Sequence, residues 1–307
     1  MMAVVAMLSS CATTKGTPSN PTPTESQPGA FVGPPAPNAA FGPELQEKQE
    51  VLVMVGPGMA SALSGAGVIR ALHDQGVRIA AVAGVEFGAM ITASYATAAS
   101  PNTMDWSLLQ FQRDWVRPKE GLTRFISNSP RSSRELHAGL KKIFRNQPLD
   151  ALKIPLWVVE SLEGRLSSST SGSVSSSVCR VLTTVQWLEP CEAAGGAPFD
   201  QVSGLLRDQW ERVGLRMPVI WVIPARISAV EGDRAATRIE AEIAAFARTV
   251  ELSRADQDLV VTPPPVISDY FAYGRRSEII YSGRQEAKRQ IGPWLSRLGW
   301  TRVKRSP

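Results

Sequence analysis

The sequence contains few of the residues that bind metals or build histidine-based catalytic triads. Its 307 residues include two histidines and three cysteines, and no two cysteines lie within a few residues of each other. A structural zinc site needs clustered cysteine or histidine ligands, and a Ser-His-Asp triad needs a histidine beside its nucleophile. The sequence therefore predicts no metal site and no cofactor. We expect His73 and His137 to be ordinary surface or boundary residues.

The net charge is small as well. The chain has 33 lysines and arginines against 28 acidic residues, which gives a formal net charge of +5. No basic run is interleaved with aromatic residues, so the sequence predicts no nucleic-acid binding. A solvated surface accounts for this mild charge, and a basic face toward anionic lipid or lipopolysaccharide is the alternative.

The first residues resemble a bacterial lipoprotein signal. Residues 1–10 are apolar but too short to span a bilayer, and Leu8-Ser9-Ser10-Cys11 has the form of a lipobox with Cys11 as the lipidated residue. A chance cysteine in an irregular N-terminus is the alternative, because no lysine or arginine precedes the run. By analogy with lipoprotein sorting, Ala12 favours an outer-membrane lipoprotein that faces the periplasm.

The composition along the chain predicts four regions. We expect a signal segment at 1–11, a Pro/Ser/Thr-rich disordered tether at 12–48, a globular domain at 49–300 and a basic tail at 301–307. With 43% hydrophobic residues the domain can bury one sizeable core. Cys179 and Cys191 lie twelve positions apart and form a candidate disulfide in an oxidising periplasm, although spacing does not fix geometry.

Residues 51–96 are the most informative stretch of the globular part. Val51–Val55 indicates a short buried strand, and the glycine-rich turn 56–58 closes it. Apolar residues then recur at helical spacing from Leu63 to Leu72. Ile79–Val82 predicts a second buried strand and Ala89–Ala96 a second helix. This alternation implies an α/β domain with a mainly parallel sheet, helices on both faces and a site at the carboxyl ends of the strands.

The turn after the second strand carries the strongest functional signal. Gly84-Val85-Glu86-Phe87-Gly88 has the form of a nucleophile elbow, G-x-S-x-G, in which small flanking residues let a strained turn present the middle side chain. With Val68-Ile69-Arg70-Ala71-Leu72 upstream and Ala89 downstream, the segment resembles the patatin-like phospholipase family. The resemblance implies a three-layer α/β fold and a lipid acyl hydrolase with a Ser-Asp dyad. The family's serine corresponds to Glu86.

Two further elements of the family pattern are altered. Its oxyanion turn, usually G-G-G-x-[RK]-G, corresponds approximately to Gly56, Pro57, Gly58 and Met59. Pro57 has no amide N–H, and Met59 adds a side chain where glycine allows close approach. The family's aspartate lies in a D-G-[GA] turn. Its counterpart here is Asp200, which lacks the following glycines and is equally well explained as a helix N-cap.

The rest of the sequence predicts further elements less strongly. Its patterns favour helices at Met104–Val116, Ser132–Phe144, Leu205–Gly214 and Arg234–Leu252, and strands at Ile154–Val159, Val219–Ile223 and Asp258–Pro263. Leu166–Ser177 is serine-rich and in isolation indicates a low-complexity loop, while Gly172–Arg180 loosely resembles a helix of the family. We expect the aromatic residues of the first of these helices in the core, with a lipid-facing surface as the alternative. The family resemblance continues unevenly to about Leu298.

Three functions stay open on the sequence alone. The first is a non-catalytic patatin-like lipoprotein that binds a lipid, peptide or envelope partner. The second is an active lipid acyl hydrolase in which Glu86 acts as a base for water, or in which Ser61 or Ser64 is the nucleophile. The third is a structural envelope protein without a ligand. If Glu86 is buried, it needs a proton or a cationic partner, for which Arg70 or another basic side chain is a candidate. The ligand and the oligomeric state stay open.

Overall fold

The computed structural model describes residues 50–116, 132–162, 165–169, 171–183, 188–191, 200–201, 210–211, 214, 216–227 and 233–300. At 160–162, 165–168 and 200–201 it describes the backbone alone. The predicted signal segment with Cys11, the tether 12–48 and the basic tail 301–307 lie outside this part. None of the helices within it combines the length and the apolar character that a membrane span requires.

The described residues form seven strands and seven helices, numbered here in chain order. The strands are β1 (Glu50–Val55), β2 (Arg78–Val85), β3 (Leu156–Leu162), β4 (Arg165–Ser169), β5 (Asp200–Gln201), β6 (Val219–Val222) and β7 (Leu259–Val261). The helices are α1 (Ser64–Asp74), α2 (Phe87–Ala96), α3 (Pro101–Gln110), α4 (Arg134–Phe144), α5 (Val174–Leu182), α6 (Arg234–Ser253) and α7 (Arg276–Arg297). Short 3₁₀ turns occupy Met59–Leu63, Arg113–Trp115, Leu149–Ala151 and Tyr273–Arg275.

All seven strands belong to one sheet, in the order β5-β4-β3-β2-β1-β6-β7. The five strands from β3 to β7 along this order pair in parallel, and β4 and β5 pair antiparallel at one edge. Parallel pairing places the carboxyl ends of β1 and β2 side by side, with Val55 opposite Gly84. The predicted mainly parallel sheet is therefore confirmed.

Helices cover both faces of the sheet. Along β1, Val51, Val53 and Val55 pack into the larger core cluster, which includes buried residues of α1, α2, α5 and α7. Leu52 and Met54 point the other way, into a smaller cluster with Trp210 and the α6 side chains Phe246 and Val250. A strand buried on both faces is apolar throughout, which explains the unbroken apolar run of β1. The fold is the expected three-layer α/β arrangement.

Two predicted elements differ from the structure. The loop predicted for the serine-rich stretch was wrong, because residues 165–169 pair with β3 as strand β4. Val174–Leu182 form a helix capped by the Ser173 hydroxyl, which agrees with the loose family match at Gly172–Arg180. The helix predicted over Met104–Val116 ends at Gln110, since the backbone of Phe111 is extended. Strand pairing overrides local composition at the first of these places.

Candidate functional site

The candidate site is built on the turn between β2 and α2. Glu86 lies there with φ 48° and ψ −117°, a conformation that side-chain-bearing residues rarely adopt and that costs on the order of 1–3 kcal/mol. Glycine is required on either side. A Cβ atom at Gly88 would lie 2.2 Å from the Val55 carbonyl oxygen, and one at Gly84 would lie 2.4 Å from the Ala89 nitrogen. This is the strained strand-to-helix geometry of a nucleophile elbow, with a carboxyl group at its apex.

The glycine-rich turn after β1 lies against the elbow. A Cβ atom at Gly88 would also lie 2.6 Å from the Gly56 carbonyl oxygen, so the two turns touch through their backbones. The turn is itself fixed by hydrogen bonds, since Gly56 N–H donates to the Val222 carbonyl at 3.0 Å and Ala60 N–H donates to the Tyr270 carbonyl at 2.9 Å. The site therefore lies at the carboxyl ends of adjacent parallel strands, as the topology predicts.

The same turn retains only part of an oxyanion hole. Within the described part of the chain, the N–H groups of Gly58 and Met59 make no hydrogen bond, so both are candidate donors to an anion. Pro57 has no N–H to donate. Gly58 and Met59 have positive φ values of 137° and 48°. The Met59 side chain is fully buried, and its sulfur accepts a hydrogen bond from the Tyr273 hydroxyl at 3.5 Å.

Aromatic side chains fill the space beside the elbow. The Phe87 ring packs against Phe111 and Tyr273 with centroid distances of 5.0 and 5.3 Å. Trp115 extends this cluster, because its ring lies 5.4 Å from that of Phe111. Phe87, Phe111 and Tyr273 are buried, so this side of the elbow is packed core. The prediction that the large apolar residues of 104–116 belong to the core is confirmed for Phe111, and Trp115 is half-buried. It was wrong for Trp106 and Leu109, which are 67% and 50% exposed.

The carboxyl group of Glu86 is protonated at neutral pH. The side chain is 3% exposed, and within the described residues it makes no hydrogen bond. The pKa of Glu86 is raised to about 8, chiefly by burial and to a smaller extent by the carboxylate of Glu242, while the guanidinium of Arg238 partly offsets the rise. Glu242 and Arg238 lie one turn apart on α6, with a closest N–O distance of 3.9 Å. Burying an ionised carboxylate without a compensating partner is energetically costly, so the carboxyl group of Glu86 keeps its proton.

Of the basic side chains considered for Glu86, Arg238 acts on it and Arg70 does not. Arg70 instead pairs with Asp105, to which its Nε donates at 3.2 Å. The charged groups that act on Glu86 come from α6, more than 140 residues further along the chain. Helical spacing predicted α6 itself, but no pattern in the sequence indicates which side chains it brings to the elbow.

Helix α6 also covers the glycine-rich turn. A Cβ atom at Gly56 would lie 2.5 Å from the Phe246 ring, and one at Gly58 would lie 3.1 Å from the Ile243 Cδ1 atom. Phe246 and Ile243 are buried. Two apolar side chains of α6 therefore pack against the Cα atoms of this turn.

Asp200 is not beside the elbow. The strand register places Val85 of β2 opposite Val159 of β3, Val159 opposite Ser168 of β4, and Ser168 opposite Asp200 of β5. Three strand spacings thus separate the backbone of Asp200 from that of Val85, or about 14 Å. The helix that Asp200 was predicted to cap lies mostly outside the described residues.

The hydroxyl groups of the two serines considered as substitute nucleophiles are hydrogen-bonded to backbone carbonyls. The Ser61 hydroxyl donates to the Gly58 carbonyl at 2.7 Å, and the Ser64 hydroxyl donates to the Ser61 carbonyl at 2.8 Å. Both side chains are buried. In the described part of the chain, neither hydroxyl is hydrogen-bonded to a histidine or a carboxylate that could act as its base.

Cys179 of α5 and Cys191 form a disulfide with a Cα–Cα distance of 5.9 Å. Among the residues that the structure describes, no group of three or more His, Cys, Asp or Glu side chains is arranged to hold a metal ion.

Comparison with known proteins identifies one family. Residues 52–204 match the family model of the patatin-like phospholipases. No curated protein matches the sequence. Among solved structures, VipD from Legionella pneumophila is 13% identical with a TM-score of 0.39, covering 80% of this chain and 67% of that one. ExoU in its complex with SpcU, from the type III secretion system of Pseudomonas aeruginosa, is 14% identical with a TM-score of 0.36. That match covers 81% of this chain, which spans about half (52%) of the matched chain.

Proposed function

We propose that this chain, whose residues 52–204 match the patatin-like phospholipase family model, is catalytically inactive and binds a lipid or an envelope partner. The proposal rests on one observation. The elbow that would present a nucleophile presents the Glu86 carboxyl group, which is buried and protonated. A neutral carboxylic acid is neither a nucleophile nor a general base, so acyl transfer at this position has no attacking group.

The surroundings of Glu86 support the same conclusion. Pro57 removes one donor from the oxyanion turn, and loss of a single such donor typically costs about 2.7–4 kcal/mol of transition-state stabilisation. Phe246 and Ile243 of α6 cover the turn. The counterpart of the family's aspartate is about 14 Å away along the sheet. Restoring catalysis would need several simultaneous changes.

The location that we propose is the bacterial cell envelope. Cys11 would carry the lipid anchor in the outer membrane, residues 12–48 would act as a flexible spacer, and the domain would face the periplasm. The disulfide between Cys179 and Cys191 supports an oxidising compartment, because structural disulfides are rare in reducing cytosol.

A fluorophosphonate probe and a set of esters test the proposed inactivity. The full chain should neither be labelled nor hydrolyse short-chain esters or phospholipids, whereas an active serine esterase in the same buffer should do both. Labelling that disappears in Ser61→Ala or Ser64→Ala would overturn the proposal. Mass spectrometry of non-covalent lipid released from membrane-purified protein tests the ligand, since a purely structural protein should release none above background.

A hydrolase that uses Glu86 as a base for water is the second candidate. The pKa of about 8 favours it, because a general base works best when its pKa is near the operating pH. Such an enzyme would gain activity as pH rises through about 8, and Glu86→Gln would abolish that gain. Absence of ester hydrolysis at pH 9 would exclude this candidate.

A further inference from the structure

An open groove lies between helix α7 and residues 262–268. Its volume is about 890 Å³, which is in the range of ligand-binding clefts, and the surface that lines it is mostly apolar. Tyr281, which is 62% exposed, lies on the α7 side, and Pro264 and Val266 form the other side. The Ser282 hydroxyl donates to the Pro264 carbonyl at 3.2 Å and joins the two sides. This depression is called the α7 groove below.

The α7 groove is preformed, and its charged side chains are already paired. Three consecutive prolines at 263–265 fix the backbone on one side, and a regular helix forms the other. Of the acidic residues that line the groove, Glu278 pairs with Arg275 and Glu286 pairs with Arg289. An occupant would therefore gain little from charge, and the lining favours an uncharged, apolar segment.

The length of the groove suits a short polyproline II segment. The lining residues of α7 run from Ser277 to Arg289, which corresponds to about 18 Å of helix. Polyproline II rises about 3.1 Å per residue, so about six residues would fill this length. Proline-rich segments bind in aromatic-lined grooves because their backbone is already extended and loses little entropy, and Tyr281 supplies an exposed aromatic ring here.

The chain carries such a segment close to its globular part. Residues 34–39 read Pro-Pro-Ala-Pro-Asn-Ala and contain no charged side chain. The ten residues 40–49 connect this segment to the start of β1 at Glu50, and ten extended residues span up to about 33 Å. Another proline-containing stretch of the predicted tether, at 17–28, is further from β1 and is interspersed with serine, threonine and asparagine. The tail 301–307 carries three cations, for which the groove has no unpaired carboxylate among the described residues.

Two sets of ion pairs show that the start of β1 lies within reach of the α7 groove. Glu50 pairs with Arg78 at 2.9 Å. Asp74, four residues before Arg78, pairs with Arg284 of α7 at 2.6 Å and with Lys288 at 3.5 Å. Each of these two α7 cations is directly followed in the sequence by a residue that lines the groove. Glu50 therefore lies within about 30 Å of the groove, and ten extended residues can bridge this distance.

We propose that residues 34–39 bind in the α7 groove of the same chain as a polyproline II segment. Because the segment and the groove are joined by a short linker, their effective concentration is in the millimolar range and a weak contact is enough. The bound segment would shorten the free spacer from residues 12–48 to residues 12–33, and so hold the globular part closer to Cys11. The contact itself depends neither on lipidation of Cys11 nor on the protonation of Glu86.

Photocrosslinking from the α7 groove tests this contact in the full chain. The photoreactive amino acid p-benzoylphenylalanine replaces Tyr281, and Cys11→Ser keeps the protein unacylated. Peptide mapping should find the main crosslink within residues 33–43. The same probe in place of Leu252, which is 75% exposed on α6, should show no preference for these residues.

Glycine substitutions in the tether provide the matched comparison. Pro34→Gly/Pro35→Gly/Pro37→Gly should lower the yield of this crosslink roughly fivefold, because glycine does not favour the extended backbone that proline fixes. Pro18→Gly/Pro21→Gly/Pro23→Gly makes the same change in the distant stretch and should leave the yield unchanged. Unchanged thermal unfolding should confirm that every variant is folded.

Several outcomes would overturn the proposal. They are the absence of a crosslink from position 281, a main crosslink outside residues 33–43, and an equal loss of yield in the two glycine variants. A crosslink to co-purified lipid would assign the α7 groove to an acyl chain instead. In a mixture of isotopically light and heavy chains, crosslinks should join only segments of the same chain. Light–heavy products would assign the groove to a second copy of the protein.

Discussion

The ring of Phe246 on α6 rests directly on the backbone of Gly56, so closely that a Cβ atom at position 56 would lie 2.5 Å from the ring. Gly56 closes β1 and starts the turn that resembles an oxyanion hole. The contact therefore joins the covering helix to the candidate site. Substitutions at Gly56 and Phe246 can therefore test whether α6 packs on this turn.

Gly56→Ala should destabilise the protein by about 1–3 kcal/mol, because the added methyl group overpacks against Phe246. Gly274→Ala is the matched control, since a Cβ atom there would meet nothing within 4 Å. Urea unfolding gives both values. Phe246→Ala should make the Gly56→Ala change less costly, and strictly additive effects of the two substitutions would contradict direct packing.

Glu86→Gln should stabilise the protein, increasingly so as pH rises from about 4.5 to about 8. The unfolded chain loses the Glu86 proton near pH 4.5 and the native state only near pH 8. Between these values the unfolded state binds fewer protons, so the parent loses stability as pH rises, by at most about 5 kcal/mol in total. A glutamine side chain does not ionise, so the Glu86→Gln variant does not lose stability in this way.

Urea unfolding at a series of pH values measures the effect. Glu251→Gln, which removes an exposed carboxylate from the same helix α6, is the control for a general change in charge. A constant difference between Glu86→Gln and the parent over this range would show that Glu86 is ionised in the native state. Glu242→Gln should reduce the pH dependence, since the charge of Glu242 raises the pKa of Glu86.

The sequence predicts the elbow well because local geometry dictates it. The close backbone contacts at Gly84 and Gly88 leave no room for a side chain, so glycine is required at both positions. The spacing of the apolar residues in β1, β2 and α1 reflects their burial in the core. The environment of Glu86 was not predictable in this way. Arg238 and Glu242 reach the elbow only through the tertiary placement of α6, and the pairing of β4 with β3 overrides its serine-rich composition.

The disulfide should contribute about 3 kcal/mol to stability, because it closes a short loop in the unfolded chain. Reduction of the native protein, or Cys179→Ser/Cys191→Ser, should lower the midpoint of urea unfolding accordingly. Non-reducing peptide mapping of protein exported to the periplasm checks the bond itself. Two free thiols in that sample would contradict the pairing in the structure.

Cys11→Ala should release the protein from membranes when it is expressed in its native host. The expectation follows from the lipobox form of residues 8–11, in which Cys11 would carry the lipid anchor. Fractionation and immunoblotting give the measurement, and Ser10→Ala, which keeps a small residue before the cysteine, is the control. An unchanged membrane fraction in Cys11→Ala would show that Cys11 is not the anchor.

Glu86→Ser should fail to restore serine-hydrolase activity, although it places a hydroxyl at the apex of the elbow. The new serine would lack a base, because the backbone of Asp200 lies about 14 Å along the sheet. Its oxyanion turn would still contain Pro57 and would still be covered by Phe246. Fluorophosphonate labelling of the folded variant measures the outcome, with Glu86→Ala as the control for non-specific reaction. Labelling of Glu86→Ser well above that of Glu86→Ala would show that the helix α6 opens and that the elbow alone is enough to activate a serine.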